Sequence, residues 1–161
     1  MRTKKKNKIL ITKEVYDRQI TKPFVIKLAD EILNYLKLEN VELSILLTND
    51  ETIRQLNKQW RNKDKPTDVL SFPVNEKPLG YKYTVLGDVI ISLPYAKKQA
   101  KEIGLTEKEE ILRLLAHGIL HLLGYDHETS EEDAKVMFDL QDKIFKHCKD
   151  KFSFGVNRDD T

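Results

Sequence analysis

The chain has 161 residues, with 28 Lys+Arg against 26 Asp+Glu, four His and a single Cys. A hydrophobic fraction of 40% is too high for a disordered chain, the length suits one domain over 1–161, and one cysteine excludes a disulfide framework or a Cys-rich zinc module. No apolar run reaches the roughly 18 residues of a membrane helix, and the basic start Met1-Arg-Thr-Lys-Lys-Lys-Asn-Lys8 leads only into Ile9–Ile11, so neither a membrane span nor a secretory signal is expected and the chain reads as cytoplasmic.

There is no internal repeat. Residues 1–7 form a basic N-terminus expected to be loosely attached, and Lys4, Lys5 and Lys6 read as a frayed end. Ile9–Thr12 is a short apolar strand with an edge character. Pro23 suits the start of a helix whose apolar positions are Ile26, Ala29, Ile32, Leu33 and Leu36. Val41–Thr48 begins as an alternation and ends as an apolar run, which predicts a strand. Asn49 or Asp50 then caps a helix with Ile53, Leu56 and Trp60 at helical spacing.

Asp68–Phe72 predicts a strand stopped by Pro73, and Asp88–Ser92 a β-branched strand after Gly87, joined through a flexible connection over 74–85. Beyond Leu93 the pattern is helical, with Gly104 as the cap after Ile103. Thr106-Glu-Lys-Glu109 reads as a capping box for a helix to Leu123, which Gly124 ends. Ser130-Glu-Glu-Asp133 caps a last helix carrying Val136, Leu140 and Ile144, and a polar tail is expected over 150–161. This order predicts an α/β (α+β) fold: a small mixed sheet of about four strands packed with about five helices.

Chemistry concentrates in His117-Gly-Ile-Leu-His121-Leu-Leu-Gly124-Tyr-Asp-His127. His117 and His121 stand one helical turn apart on one face, so both rings can bind one ion. Gly124 lets the chain turn back, which brings His127 into range as a third ligand. Three imidazoles with a position left open describe a catalytic zinc site rather than a closed structural one. A single histidine among apolar neighbours is most often a hydrogen-bonded core residue. Three at this spacing, with a glycine in the gap, point to metal. Between Leu114 and Leu123 the two histidines are the only polar side chains, so this helix is expected to lie buried against the sheet.

The spacing matches the H-E-x-x-H-x-x-G-x-x-H motif of metzincin proteases, except that Gly118 replaces the glutamate that serves as their base. A peptidase mechanism is therefore missing its proton acceptor. The basic stretch Arg54…Lys58…Arg61-Asn-Lys63-Asp-Lys65 offers phosphate contacts instead, with Arg61 the best placed to grip two oxygens at once. Arg54 and Lys58 read as a solvated helix face. Asp126, Asp88 and Asp68 each allow a role as base, as an orienting partner of a histidine or as a turn cap, and a hydroxide on the metal needs no dedicated base. Trp60, Phe72 and Tyr125 suit either stacking on bases or the core, and the core is the commoner fate. His147-Cys148 does not form a metal pair, because adjacent helix residues diverge.

The histidine segment resembles the signature of the YbeY family of bacterial metal-dependent endoribonucleases. The resemblance extends to Trp60-Arg61-Asn-Lys-Asp-Lys-Pro-Thr67-Asp-Val-Leu-Ser71-Phe-Pro73 and to Gly87-Asp-Val-Ile-Ile-Ser92, and covers most of residues 8–148. It implies a single α/β domain, one Zn2+ or similar ion on His117, His121 and His127, and catalytic roles for Arg61, His117 and His121. It further implies single-stranded RNA as substrate, with Arg61 as the family's functional arginine. Lys63 and Lys65 of the basic stretch and Ser71 are expected as further contacts, although a strand serine is more often structural. The family's setting would be maturation of the small-subunit ribosomal RNA 3′ end and ribosome quality control, with ribosome-associated proteins as partners. Two alternatives stand beside it: a ribosome-assembly factor with a structural metal, and a metzincin-like hydrolase of another substrate class.

Overall fold

Alternation of burial decides which strand lies at the centre. In the computed structural model, which describes residues 6–152, Val41, Leu43, Ile45 and Leu47 are buried while the residues between them are only partly so. In chain order the elements are β1 (Lys8–Lys13), α1 (Lys22–Tyr35), β2 (Val41–Thr48), α2 (Asp50–Arg61), β3 (Val69–Glu76), β4 (Thr84–Ser92), α3 (Leu93–Ile103), α4 (Glu107–Leu122) and α5 (Glu131–Phe152). The sheet order is β1-β2-β4-β3, with β1, β2 and β4 parallel and β3 antiparallel to β4. The expected mixed sheet and its five helices are both present.

The two faces of the sheet are covered unequally. Leu43, Leu47, Val89 and Ile91 point toward α1, α4 and α5, where they meet Leu28, Ile32, Leu112, Leu115, Ile119 and Ile144 in one continuous core. Each such fully buried aliphatic side chain contributes about 1.5–3 kcal/mol of apolar transfer energy. The opposite face carries Leu70 and Ile90 against Ile53 of α2, with Leu46, Leu56 and Phe72 partly buried around them. Beside α2 this face opens into an apolar groove of about 630 Å³ that includes Leu10, Trp60 and Asp88.

Several boundaries depart from the sequence reading, each for a physical reason. Pro73 does not stop β3, which runs on to Glu76. The strand lies at the sheet edge, where a missing N–H is tolerated, and the register shifts between Pro73 and Glu76. β4 starts at Thr84 rather than Asp88, so the connection shrinks to residues 77–83. Gly87 stays essential within it, since a Cβ there would stand 2.2 Å from the Phe72 carbonyl oxygen.

The buried face of α1 is Val25, Leu28, Ala29, Ile32 and Leu33, leaving Ile26 exposed. On α5 it is Met137, Gln141, Ile144 and Cys148, leaving Val136 exposed. Trp60 is also outside the core, at 64% exposure. At the ends, Asn7 of the basic N-terminus is pinned by its Nδ2 donating to the Leu38 carbonyl and its Oδ1 accepting from the Val41 N–H. Helix α5 continues through Phe152, past Asp150 where the tail was expected. Lys4, Lys5 and Phe154 lie outside the described residues.

Candidate metal centre

Helix α4 begins with the expected capping box. The Glu109 N–H donates to Thr106 Oγ1 and the Thr106 N–H donates to the Glu109 carboxylate. Its other end is a Schellman turn: the Tyr125 N–H bonds the Leu120 carbonyl and the Gly124 N–H bonds that of His121, with Gly124 at φ 99°. Only a residue free to adopt this left-handed conformation sends the chain back over the helix face. The His117 and His121 ring centroids are 4.7 Å apart, and His127 lies 5.2 Å from each. One nitrogen from each ring falls within 4.8 Å of the others.

The donor set and its surroundings fit a zinc-type ion. Burial lowers the pKa of His117, aided by the neighbouring His127 and Arg113 charges, while a hydrogen bond to Gln141 opposes the shift. Burial likewise lowers that of His121, aided by His117 and His127 against Asp126 and Glu128. Both rings are therefore held neutral and able to donate a lone pair. The His117 Nδ1–H donates to Gln141 Oε1 at 2.7 Å, which fixes the tautomer with the lone pair on Nε2. His127 Nδ1 is buried and has no hydrogen-bond partner among the described residues. A bound cation would satisfy such an orphan.

The histidines form one wall of a cavity of about 700 Å³ at the β3 edge. Of the other expected contacts, Arg61, Lys63 and Ser71 line the same cavity and Lys65 does not. The Lys65 backbone carbonyl instead accepts from Asn57 Nδ2, closing the loop after α2. Asn62 caps that helix at φ 59°, which turns the chain toward the cavity. Arg54 is tied to Glu51 and Asp64, and Lys58 reaches Asp64, whereas Arg61 and Lys63 are exposed and unpaired among the described residues. The five like charges of this stretch thus divide into a neutralised helix face (Arg54, Lys58), two cations free at the site (Arg61, Lys63) and Lys65 away from it.

The aspartates separate as well. Asp126 and Asp68 line the cavity, but both Asp68 oxygens are engaged, one by the Val69 N–H and the other by Gln99. Asp126 accepts the Glu128 N–H through Oδ1, and its Oδ2 has no partner among the described residues. Asp88 points into the groove on the far face of the sheet, because its neighbour Val89 faces α4. Ser71 Oγ donates to the Gly118 carbonyl at 3.2 Å. At Gly118 helix α4 presses on the sheet, and a Cβ there would lie 2.8 Å from Val89 Cγ1. A metzincin-type glutamate has no space at this position.

Two lining residues, Arg113 and Phe138, and the buried Gln141 behind His117 escaped the sequence reading. Phe138 of α5 stacks 6.1 Å from His117 and lies tilted 5.5 Å from His127. Gln141 is 96% removed from solvent in the middle of an apolar helix face, with only 4% exposed. A glutamine in that stripe hints at a polar partner, but only the packing of α5 on α4 shows that the partner is His117. Away from the site, His147 Nε2 bonds Glu31 at 2.7 Å and Cys148 is buried, its thiol pushed up to about 12 by burial. His147 fastens α5 to α1 while Cys148 packs in the core, and the two do not form a metal pair. Tyr125 packs on the main core and Phe72 on the smaller one.

Comparison with known proteins agrees with the geometry. The family described as Endoribonuclease YbeY matches residues 5–149. A relative from Sulfurihydrogenibium sp., named Endoribonuclease YbeY, is 71% identical over 87% of this chain and 91% of its own length. One of the same name from Persephonella marina is 65% identical over 91% of this chain and 96% of its own. The solution structure of TM1509 from Thermotoga maritima superposes with a TM-score of 0.65 at 30% identity, covering 90% of this chain and 91% of that one.

Proposed function

The chain belongs to the YbeY endoribonuclease family, and from that premise we propose that it is a metal-dependent endoribonuclease cleaving single-stranded RNA at the three-histidine cluster. The observation that carries the reading is the convergence of three imidazole nitrogens within 4.8 Å on a cavity that also receives Arg61 and Lys63. His117, His121 and His127 would hold a zinc-type ion, whose chemistry is to polarise a phosphodiester and to acidify a water toward a pKa of ~7.

The remaining work falls to the protein's own groups. Arg61, unpaired and at the cavity edge, offers its planar guanidinium to two phosphate oxygens. Lys63 adds charge that holds the strand across the cavity. Ser71 has committed its hydrogen to Gly118, so toward RNA it acts as an acceptor, suited to a ribose hydroxyl. Asp126, which lines the cavity and keeps Oδ2 unpartnered, is the carboxylate we assign to take a proton. Phe138 shields the histidines from solvent on the α5 side.

The family resemblance extends the reading to small-subunit ribosomal RNA, its 3′ end, and ribosome-associated partners in the cytoplasm. In keeping with this, no helix among the described residues is long and apolar enough to cross a membrane. The test is cleavage of a single-stranded RNA by wild type, His121→Ala and Arg61→Ala protein, each checked for folding. Removal of a charge-stabilising donor costs on the order of a hundredfold in rate, and that loss is expected for Arg61→Ala, with cleavage abolished in His121→Ala. Full activity in both variants would overturn the assignment.

A further inference from the structure

Helix α4 carries a second cation into the cavity. Arg113 stands one turn before His117, on the same stripe of the helix as His117 and His121, and lines the same cavity. Its Nε donates to Glu110 Oε1 at 2.6 Å and its Nη2 to Glu110 Oε2 at 2.7 Å. Glu110 is fully buried, and its Oε2 also accepts from Gln99, whose amide in turn donates to Asp68. Glu110 of α4, Gln99 of α3 and Asp68 just before β3 thus hold one guanidinium edge still. Among the described residues Nη1 has no acceptor, and the side chain is 30% exposed.

This arrangement is hard to explain by stability alone. A buried ion pair is often no better for stability than an apolar pair of the same volume. What it does provide is a planar cation fixed in orientation, with part of its five-hydrogen fork directed outward. The acidic groups nearest the cavity do not consume that edge. Asp68, whose charge also acts on Arg113, is already engaged at both oxygens, and Asp126 and Glu128 line the cavity without a hydrogen bond to the guanidinium.

We propose that Arg113 is a second phosphate-contacting arginine, holding the RNA backbone at the phosphate next to the one placed at Arg61 and the histidines. This rests on the RNA-cleaving reading above and deepens it. The strand would then be gripped on both sides of the scissile bond, from α2 and from α4.

The measurement is binding of a cleavage-resistant single-stranded oligoribonucleotide (phosphorothioate, 2′-O-methyl) by metal-loaded protein over a series of salt concentrations. Loss of Arg113 alone would strand the buried Glu110 charge, so the variant removes both charges, Glu110→Gln with Arg113→Gln. Each phosphate contact on a single strand contributes about 0.7 to the slope of log K against log salt. The double variant should therefore lose about 0.7 from the wild-type slope, bind all sequences more weakly, and keep its bound metal. An unchanged slope and affinity would overturn the proposal, as would a loss confined to RNAs carrying one particular base, which would indicate base contact instead.

Should the double variant not fold, nitrogen-15 NMR of wild-type arginine side chains decides. The Arg113 Nη resonances should move on addition of the oligonucleotide, and their indifference while Arg61 responds would overturn the proposal. A wild-type protein that neither binds nor cleaves RNA would remove the functional reading itself. Intact wild-type activity with an unaltered variant would remove only Arg113.

Discussion

Gln141 stands in the buried stripe of α5 beside Met137, Ile144 and Cys148, and its carbonyl holds the His117 Nδ1–H. Partners of this kind are worth 10–100-fold in metal affinity. Gln141→Leu should therefore weaken zinc binding by about that factor, while Gln141→Glu, which keeps an acceptor, should retain most of it. Calorimetric titration of the metal-free protein checks both. Gly118 is equally constrained: an added methyl meets Val89, so Gly118→Ala should cost about 1–3 kcal/mol of stability in urea unfolding. The histidines were legible in the sequence because their spacing alone puts them together. Gln141 and Arg113 were not, since one needs α5 laid against α4 and the other a partner buried beneath it. Trp60 misled in the opposite direction, because helical spacing shows which face an aromatic occupies but not how far the sheet beneath extends.

The elements that position the site are set mostly by local rules, and those rules were readable. Thr106, Asn49 and Ser130 each cap the helix the sequence assigned to them, through bonds to Glu109, Thr52 and Asp133. What failed were choices settled by neighbours. Edge position let β3 pass through Pro73, and packing against the sheet turned α1 onto Val25 and Leu28 rather than Ile26.

The start of α4 also carries a pH dependence. Burial, with the Asp17 carboxylate alongside, pushes Glu107 up to about 7 from 4.5, against Lys97 and Lys13. A raised carboxyl pKa means the folded state binds the proton more tightly than the unfolded state. The stability this provides is complete below about 4.5 and is lost as pH rises through about 7. Glu107→Gln should accordingly gain on wild type at pH 8 and lose that advantage by pH 5, as read from urea midpoints.

At the scale of the whole molecule, a net charge of +2 conceals a division. Arg54 and Lys58 of α2 are neutralised by Glu51 and Asp64, whereas Arg61 and Lys63, left unpaired, line the cavity of the histidines. A near-neutral total therefore does not weigh against an RNA substrate. The site joins β3, the end of α2, α4, the loop after it and α5, so an ion bound there ties together elements distant in sequence. Ligand bound only by the folded state at a hundred times its dissociation constant adds about 2.7 kcal/mol, and zinc should raise the unfolding midpoint reversibly, with a chelator restoring it.

The central claim is that one ion on His117, His121 and His127 sustains RNA cleavage. It is tested most directly by adding zinc stepwise to metal-free wild-type protein and following bound metal and cleavage of single-stranded RNA in the same sample. The rate should climb in proportion to occupancy and level off at one equivalent, with His121→Ala neither binding nor cleaving over that range. Undiminished cleavage by the metal-free protein, or a rate that ignores occupancy, would contradict it.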